Sequence, residues 1–415
     1  MNALTITGGR VDGVDAGLRC EDGLICAIGP ELTPLPGDEV IDASGGEILP
    51  ALVNGHTHAA MTLFRGYGGD LPLMRWLQER IWPAEARLEA DDAYWGVRLA
   101  CAEMIRSGTA RFWDMYWHPE ATARAVQDSG LRATIGAPLI DGEIGGDLRK
   151  SALRSLDLLD EAGPLVRPAL APHAIYTVGE DSLRWISGLS AERGLPVQIH
   201  LSETEREVSD CVAEHGLRPA AYLDRCGLLN ERTVLAHGVW LDRAELELIA
   251  ERGTTVITNP AANMKLAVGG AFPWPEAKRA GVAVGLGTDG AGSNDSLDLL
   301  ADLKLFALVQ KHQARDAEAL TAPDAWRVAT GALAPALGAS GDLAVGNAAD
   351  LIVLSSSAPE LTPGDLTEAL VYAASGSVVD TTVVAGRVLM RNGEVPERAE
   401  IIARVAESAV RLGLS

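Results

Sequence analysis

The feature that most constrains the fold is a series of eight short apolar segments separated by stretches of helical periodicity. The segments begin near residues 47, 108, 131, 165, 195, 233, 254 and 282. Apolar residues in the intervening stretches recur every three to four positions, as in residues 91–108 and 179–194. Buried strands that alternate with helices predict a parallel (β/α)8 TIM barrel, which is an α/β fold.

The two ends of the chain differ from this middle region. The first fifty residues alternate apolar and polar side chains and contain Gly-Gly and Asp-Gly pairs typical of turns. The last seventy residues contain strand-like segments, a turn at Asn392 and Gly393, and an amphipathic helix over about 397–412. We therefore expect residues 1–50 and 342–415 to form one small β-sandwich domain built from both termini. Residues 51–341 would then form the barrel.

Composition narrows the class of function. The chain has 415 residues, of which 47% are hydrophobic and 22% charged, as in ordinary globular proteins. A net charge of −22 disfavours nucleic acid and anionic membranes, and we expect neither as a partner. The five cysteines have no CxxC spacing, and neither a signal peptide nor a membrane-spanning apolar run is recognisable. These features predict a cytoplasmic protein with reduced thiols.

Metal-binding residue types are concentrated where the apolar segments end. In (β/α)8 barrels the catalytic side chains lie at the C-terminal ends of the strands. Seven residues stand at such positions: His56, His58, Asp114, His173, His200, His237 and Asp289. A single histidine there is usually a hydrogen-bonded core group, but five histidines at one edge of a barrel predict a metal site. The other three histidines fall in loops or helices.

The residue types indicate which metal and which chemistry to expect. The imidazoles of His56, His58 and His200, together with the Asp289 carboxylate, suit Zn²⁺ or Fe²⁺ better than Mg²⁺ or Ca²⁺. Such an ion lowers the pKa of a coordinated water towards ~7. Glu203 follows His200 closely enough to carry a proton. His237 could hold the water and stabilise developing negative charge.

A competing motif is the sequence GLGTDG over residues 285–290, which matches the GxGxxG pattern of dinucleotide-binding folds. Here the motif follows the eighth strand rather than the first, and no second βαβ half comes after it. We therefore assign the glycines another purpose, which is to let the backbone around Asp289 approach the metal closely.

Six longer segments surround these residues: PALVNGHTHAAMTLFRGYGGDLPLMRWLQERIWPAEARL, LAPHAIYTV, QIHLSETEREV, VLAHGVWL, TNPAANMKLAVGG and GLGTDGAGSNDSLDLLADLK. They resemble the amidohydrolase superfamily, in particular its cytosine deaminase and chlorohydrolase branch. Within that branch the chain is most similar to the 5'-methylthioadenosine/S-adenosylhomocysteine deaminases. The resemblance runs nearly end to end and includes GRVDG near the start and AGRVLMRNG near the end.

The resemblance implies one divalent transition metal per subunit, with Zn²⁺ in first place and Fe²⁺ as the alternative. The implied ligands are His56, His58, His200 and Asp289. Glu203, His237 and Asp289 would be the catalytic acid, base and water-orienting groups. Binuclear relatives carry a carboxylated lysine where this chain has His173, so we do not expect a two-metal amide hydrolase.

The resemblance also implies the reaction and the assembly. It points to an aminohydrolase, which acts on C–N bonds in cyclic amidines. It would convert a 6-aminopurine nucleoside to the inosine-type product and ammonia. The candidate substrates are 5'-methylthioadenosine, S-adenosylhomocysteine, adenosine and related 5'-modified adenosines. Because the family is commonly oligomeric, we expect a homo-oligomer.

Substrate contacts follow from the same resemblance. Glu85 would bind the ribose hydroxyls, Trp76 would pack on the ligand, His173 would contact the purine and Glu203 would reach its ring nitrogen. Arg149 is placed to bind the carboxylate of a homocysteine tail, but its loop departs from the family pattern and no second arginine precedes it. The identity of the 5' substituent therefore stays open.

Two further readings remain. One is another N-heterocycle hydrolase on the same scaffold, namely a guanine, oxopurine or pterin deaminase or a triazine chlorohydrolase, whose substrate offers no ribose to Glu85. The other is a non-catalytic relative, which would typically have lost metal ligands. All four implied ligands are present here.

Overall fold

The structure is a computed structural model that describes residues 3–142 and 145–414. The N-terminal region forms seven short strands, as the alternation of apolar and polar residues predicts. They are β1 (Leu4–Thr7), β2 (Arg10–Val11), β3 (Val14–Asp15), β4 (Gly17–Glu21), β5 (Leu24–Gly29), β6 (Glu39–Asp42) and β7 (Glu47–Pro50).

The middle of the chain supplies ten parallel strands: β8 (Leu52–Thr57), β9 (Thr109–Met115), β10 (Arg132–Gly136), β11 (Pro138–Leu139), β12 (Val166–Pro168), β13 (Ala171–Pro172), β14 (Val197–Leu201), β15 (Thr233–His237), β16 (Thr255–Thr258) and β17 (Ala283–Leu286). One sheet has the order β8-β9-β10-β12 and another the order β14-β15-β16-β17, with β11 paired to β13. All eight predicted apolar segments thus contain strands. This arrangement agrees with the predicted α/β barrel.

Contacts at both edges join the two larger sheets. On one side, bridges link Leu170 to Val197 and Ala174 to His200. On the other side, the Asp289 amide donates to the His56 carbonyl at 3.0 Å. The ends of β8 and β17 are therefore neighbours, and so are the side chains that follow them.

Helices cover the outside of these strands, as the helical periodicity predicts. They are α1 (Leu73–Trp76), α2 (Trp82–Glu85), α3 (Ala90–Arg106), α4 (Pro119–Ser129), α5 (Leu148–Asp160), α6 (Glu180–Arg193), α7 (Glu205–His215), α8 (Pro219–Arg225), α9 (Arg243–Glu251), α10 (Pro260–Lys265), α11 (Trp274–Ala280), α12 (Ala291–Asn294), α13 (Leu299–Ala314), α14 (Ala322–Ala329), α15 (Leu366–Tyr372) and α16 (Arg398–Leu412). A π-helical turn, Leu77–Ile81, joins α1 to α2. Short 3-10 helices occur at Ala59–Phe64, Pro335–Leu337, Pro359–Leu361 and Gly376–Val378.

Local signals in the sequence set several helix ends. Thr204 caps α7 by accepting a hydrogen bond from the Glu207 amide, as preferred N-cap residues do. Helix α4 ends at Gly130, whose φ of 83° is readily adopted only without a side chain. In the described parts of the chain, no helix combines the length and the apolar character needed to cross a membrane.

The C-terminal strands β18 (Leu351–Leu354), β19 (Val379–Val384) and β20 (Arg387–Met390) join the N-terminal ones. One sheet has the order β5-β4-β1-β6 and the other β20-β19-β18-β7-β2-β3. Buried residues from both termini, among them Leu4, Ile48 and Leu351, share one apolar core. The first predicted apolar segment is divided at Ala51 between β7 in this region and β8 in the barrel.

The end of the chain also contacts the barrel. Helix α16 matches the predicted terminal helix to within one residue and packs against α3. Arg98 on α3 donates to Glu397, and the Arg404 guanidinium lies 5.1 Å from the centre of the Trp95 ring. The turn at Asn392 and Gly393 is present, with φ angles of 54° and 72°.

Candidate metal centre and active site

Three histidines and one aspartate converge at the C-terminal edge of the barrel strands. His56 and His58 come from the end of β8, His200 from β14, and Asp289 follows β17. The Nε2 atom of His58 lies 3.2 Å from Asp289 Oδ1 and 3.3 Å from Nε2 of His200. Nε2 of His56 lies 3.5 Å from the same carboxylate oxygen. These atoms therefore face one common point.

A fixed partner on the opposite ring nitrogen orients each imidazole. The Nδ1 atoms face Gln198 Oε1 for His56 (3.2 Å), the Met115 carbonyl for His58 (2.6 Å) and the His173 carbonyl for His200 (2.7 Å). A carbonyl oxygen can only accept, so Nδ1 carries the hydrogen and Nε2 keeps its lone pair. Burial lowers the pKa of His56 to about 4 and keeps that imidazole neutral.

Two ligand atoms are buried without any hydrogen-bond partner, namely Nε2 of His56 and Oδ1 of Asp289. Buried polar atoms in native proteins almost always have partners. A cation between the imidazole lone pairs and the carboxylate oxygen would satisfy both atoms at once. Neutral nitrogen donors and one anionic oxygen fit a divalent metal ion.

Asp289 adopts a backbone conformation that is unusual for its residue type. Its φ is 59°, in the left-handed region that side chains rarely occupy. The Ser293 hydroxyl donates to its Oδ2 at 2.7 Å, and the Thr57 hydroxyl donates to its carbonyl at 2.8 Å. Burial opposes ionisation of Asp289, but the nearby imidazoles of His56 and His58 help to hold its pKa well below the usual range.

The glycines of the GLGTDG sequence allow this approach. A Cβ atom at Gly287 would lie 2.9 Å from the His56 amide nitrogen, and one at Gly290 would lie 3.0 Å from the His58 Cβ. Both distances are too short for ordinary contacts. The glycines therefore serve the packing around Asp289, as predicted.

Glu203 is a buried carboxyl group beside this centre. Its Oε1 lies 3.9 Å from Nδ1 of His237. Burial, with a smaller contribution from Asp289, raises the pKa of Glu203 to about 8, so the group holds a proton at neutral pH. Glu207 positions the loop by accepting hydrogen bonds from the amides of Ser202 and Glu203, at 2.8 and 2.9 Å.

His237 ends β15 and also has a positive φ, 74°. Its Nδ1 lies 2.8 Å from Asn263 Oδ1, an acceptor, so Nδ1 carries the hydrogen. The other ring nitrogen keeps its lone pair. His237 also lies close enough to His56 and His200 to belong to a second possible ligand group.

One cavity of about 710 Å³ brings most of the predicted substrate residues together with this centre. Trp76, Glu85 and His173 all line it, along with Glu203 and His237. Nδ1 of His173 lies 3.0 Å from the Thr177 hydroxyl. The remaining wall is largely apolar and includes Leu73, Leu77, Ile81, Trp82, Ile140 and Tyr176.

The Glu85 carboxylate has a donor on each oxygen. The Tyr116 hydroxyl donates to Oε1 at 2.6 Å, and the Trp117 indole N–H donates to Oε2 at 3.3 Å. Burial raises the pKa of Glu85, and these two hydrogen bonds oppose the rise.

Arg149 is the one predicted site residue that does not reach the cavity. It is exposed on α5, and its guanidinium lies 5.5 Å from the centre of the Trp185 ring on α6. Arg154, on the same helix, instead lines an adjoining cavity that shares Glu85 and Trp117 with the first. Five residues along a helix rotate the side chain by roughly 140°, which explains why the two arginines differ.

Several residues with clear roles in the geometry are absent from the predicted set. Gln198 stands two residues before His200 on the same strand, and that spacing places both side chains on one face. Ser293 and Asn263 follow conserved-geometry turns of the loops rather than strand ends. Tyr116 and Trp117 come directly after β9, where the sequence alone marked only Asp114. Asp114 itself lies beneath the centre and accepts from the Ala59 amide at 2.7 Å.

The sequence profile of the Amidohydrolase family matches residues 48–389, which include every residue of this centre. The chain belongs to the amidohydrolase family. The family assignment agrees with the barrel and with the histidine and aspartate residues at its C-terminal edge.

Relatives of this amidohydrolase have related names. A 5'-deoxyadenosine deaminase of Methanoregula boonei is 48% identical over 90% of this chain and 86% of its own length. A 5-methylthioadenosine/S-adenosylhomocysteine deaminase of Archaeoglobus fulgidus is 41% identical over 96% of each chain. The crystal structure of an adenosine deaminase from Xanthomonas campestris with bound zinc superposes with a TM-score of 0.93, at 35% identity over 99% of both chains.

Proposed function

We propose that this amidohydrolase is a zinc-dependent deaminase of 6-aminopurine nucleosides, which releases ammonia and an inosine-type product. The observation that carries the proposal is the shared cavity. It places the metal-binding residues, the protonated carboxyl of Glu203 and the carboxylate of Glu85 around one space. A purine nucleoside needs all three: an activated water at C6, a proton for the ring and a partner for the sugar.

The proposed metal ligands are His56, His58, His200 and Asp289. Zn²⁺ bound by them would supply a Lewis acid and lower the pKa of a water at the reacting carbon. The zinc in the related adenosine deaminase supports this choice over Fe²⁺.

The protein groups then move the protons of the reaction. Glu203 gives its proton to N1 of the purine as the C6–O bond forms, which breaks the aromaticity of the ring. His237 accepts a hydrogen bond through its free ring nitrogen and holds the added hydroxyl group. Asp289 takes the hydroxyl proton and passes it to the amino group, the C6–N bond breaks, and ammonia leaves.

The nucleoside is recognised at the other end of the cavity. Glu85 accepts hydrogen bonds from the ribose hydroxyls, which a carboxylate can do with both of its oxygens. Trp76 packs against the ligand, and His173 contacts the purine. The names of the relatives from Methanoregula boonei and Archaeoglobus fulgidus support a nucleoside with a modified 5' position.

Replacing Glu85 separates this proposal from a hydrolase that acts on free heterocyclic rings. We expect Glu85→Ala to lower kcat/KM for 5'-deoxyadenosine by about 10- to 100-fold, because a charged hydrogen-bond acceptor is lost. Activity on adenine, which has no ribose, should not change by a comparable factor. If kcat/KM of the best substrate stayed the same in Glu85→Ala, a guanine, pterin or triazine hydrolase would be the better assignment.

Three further expectations belong to this proposal. The shared apolar core of the terminal sheets supports a β-sandwich of residues 1–50 and 342–415 beside the barrel of residues 51–341. The cytoplasmic location stays a prediction. The homo-oligomeric state likewise stays a prediction.

A further inference from the structure

We propose that Tyr116 is a positioning residue that fixes the Glu85 carboxylate and thereby sets the preference for nucleosides with both ribose hydroxyls. The inference rests on the proposed function and deepens it, because it identifies how the sugar is read.

The contact that carries the inference is short and buried. The Tyr116 hydroxyl lies 2.6 Å from Glu85 Oε1, and the tyrosine is only 3% exposed. It is the one hydrogen-bond partner that the structure gives this hydroxyl within the described residues. The tyrosine therefore acts on the carboxylate and on no competing group.

Counting acceptor positions shows what remains for a ligand. An ionised carboxylate offers about four lone-pair positions, two on each oxygen. Tyr116 occupies one on Oε1, and the Trp117 indole occupies one on Oε2 at 3.3 Å. One position stays open on each oxygen, which matches the two adjacent hydroxyls of a ribose. A base without hydroxyls could not use this pair.

The same tyrosine links the sugar site to the metal centre. Its ring centre lies 6.1 Å from that of His58, a proposed metal ligand. Tyr116 directly follows Met115, whose carbonyl holds Nδ1 of His58 at 2.6 Å. The backbone segment that orients the imidazole thus also presents the hydroxyl to Glu85. The distance between the sugar site and the reacting carbon is set by one rigid segment.

The test compares adenosine with 2',3'-dideoxyadenosine, which lacks both hydroxyls. In Tyr116→Phe we expect kcat/KM for adenosine to fall roughly 10- to 100-fold, mostly through KM. The value for 2',3'-dideoxyadenosine should change less than about twofold. The ratio between the two substrates therefore collapses, although zinc content and kcat at saturation stay close to those of the wild type.

Two companion variants protect the interpretation. Trp117→Phe removes the donor on the other oxygen and should reduce the same ratio by a smaller factor. Tyr94→Phe is the matched control, since the Tyr94 hydroxyl donates to the carboxylate of Asp128 at 2.8 Å outside the cavity. It should leave the ratio unchanged. In the Glu85→Ala background, Tyr116→Phe should have no further effect on the ratio.

The outcomes separate the two proposals. Equal losses on both substrates in Tyr116→Phe, or a full effect that persists in the Glu85→Ala background, would overturn the role of Tyr116 and leave the deaminase intact. A wild-type enzyme that deaminates neither nucleoside, nor any 5'-modified adenosine, would overturn both.

Discussion

His58 and Asp289, which follow the first and last strands of the barrel, meet across its seam with Nε2 of the imidazole 3.2 Å from Oδ1 of the carboxylate. The two strands are neighbours only when the barrel closes. The metal centre is therefore a product of the closed fold, and its ligands depend on groups that hold them in place.

Gln198 is one such group. Its Oε1 faces Nδ1 of His56 at 3.2 Å, and its Nε2 donates to the Asp114 carbonyl at 2.8 Å. We expect Gln198→Ala to weaken zinc binding by about 10- to 100-fold, as is usual when the partner of a metal-binding histidine is lost. Competition with a chromogenic chelator measures the affinity. Gln310→Ala, a buried glutamine on α13, is the control, and equal affinity in both variants would contradict the role of Gln198.

Glu203 should be essential for turnover but not for metal binding. Glu203→Gln keeps the size of the side chain and removes the transferable proton, so we expect kcat to fall by about 10²- to 10⁴-fold. Zinc content by elemental analysis should match that of the wild type. Near-normal turnover in this variant would exclude the proposed proton route.

The raised pKa of Glu203 predicts the alkaline side of the pH profile. Burial raises this pKa to about 8, and the acid form is the one that delivers the proton. The fraction of active enzyme is therefore high below about pH 8 and falls tenfold per pH unit well above it. The test is kcat/KM for 5'-deoxyadenosine between pH 6 and 10 at saturating zinc. A profile that keeps rising to pH 10 would disagree with a protonated Glu203.

Arg154 and Arg149 offer a matched pair for the 5' substituent. Arg154 lines the cavity that adjoins the sugar site, whereas Arg149 lies over Trp185. We expect Arg154→Ala to lower kcat/KM for S-adenosylhomocysteine several-fold, because a homocysteine tail carries a carboxylate. The value for 5'-methylthioadenosine should not change, and Arg149→Ala should affect neither substrate. A specific loss in Arg149→Ala would restore the original prediction for that residue.

Much of the fold could be predicted because its signals are local. Apolar segments of strand length and helices with a 3.6-residue period appear in the order of the barrel. The division at Ala51 could not be predicted, since both β7 and β8 are apolar and nothing in the sequence separates them. Only the pairing of β7 with β2 and β18 assigns it to the terminal sheets.

The metal-binding residues could also be predicted, because strand ends in a barrel share one edge. The partners of those residues could not, with the exception of Gln198. Asn263 and Ser293 lie in loops and short helices, and their positions depend on how the chain folds around Asp289 and His237. Arg149 was misplaced for a simpler reason: sequence spacing alone did not establish which face of α5 turns towards the cavity.

The most direct test of the account is ammonia release by zinc-loaded enzyme from a panel of substrates. The panel contains adenosine, 5'-deoxyadenosine, 5'-methylthioadenosine, S-adenosylhomocysteine, guanine and a chlorotriazine. We expect rapid release from at least one adenosine derivative, with the inosine-type product in equal amount, and little from guanine or the triazine. No release from any nucleoside, with zinc bound at one ion per chain, would contradict the assignment.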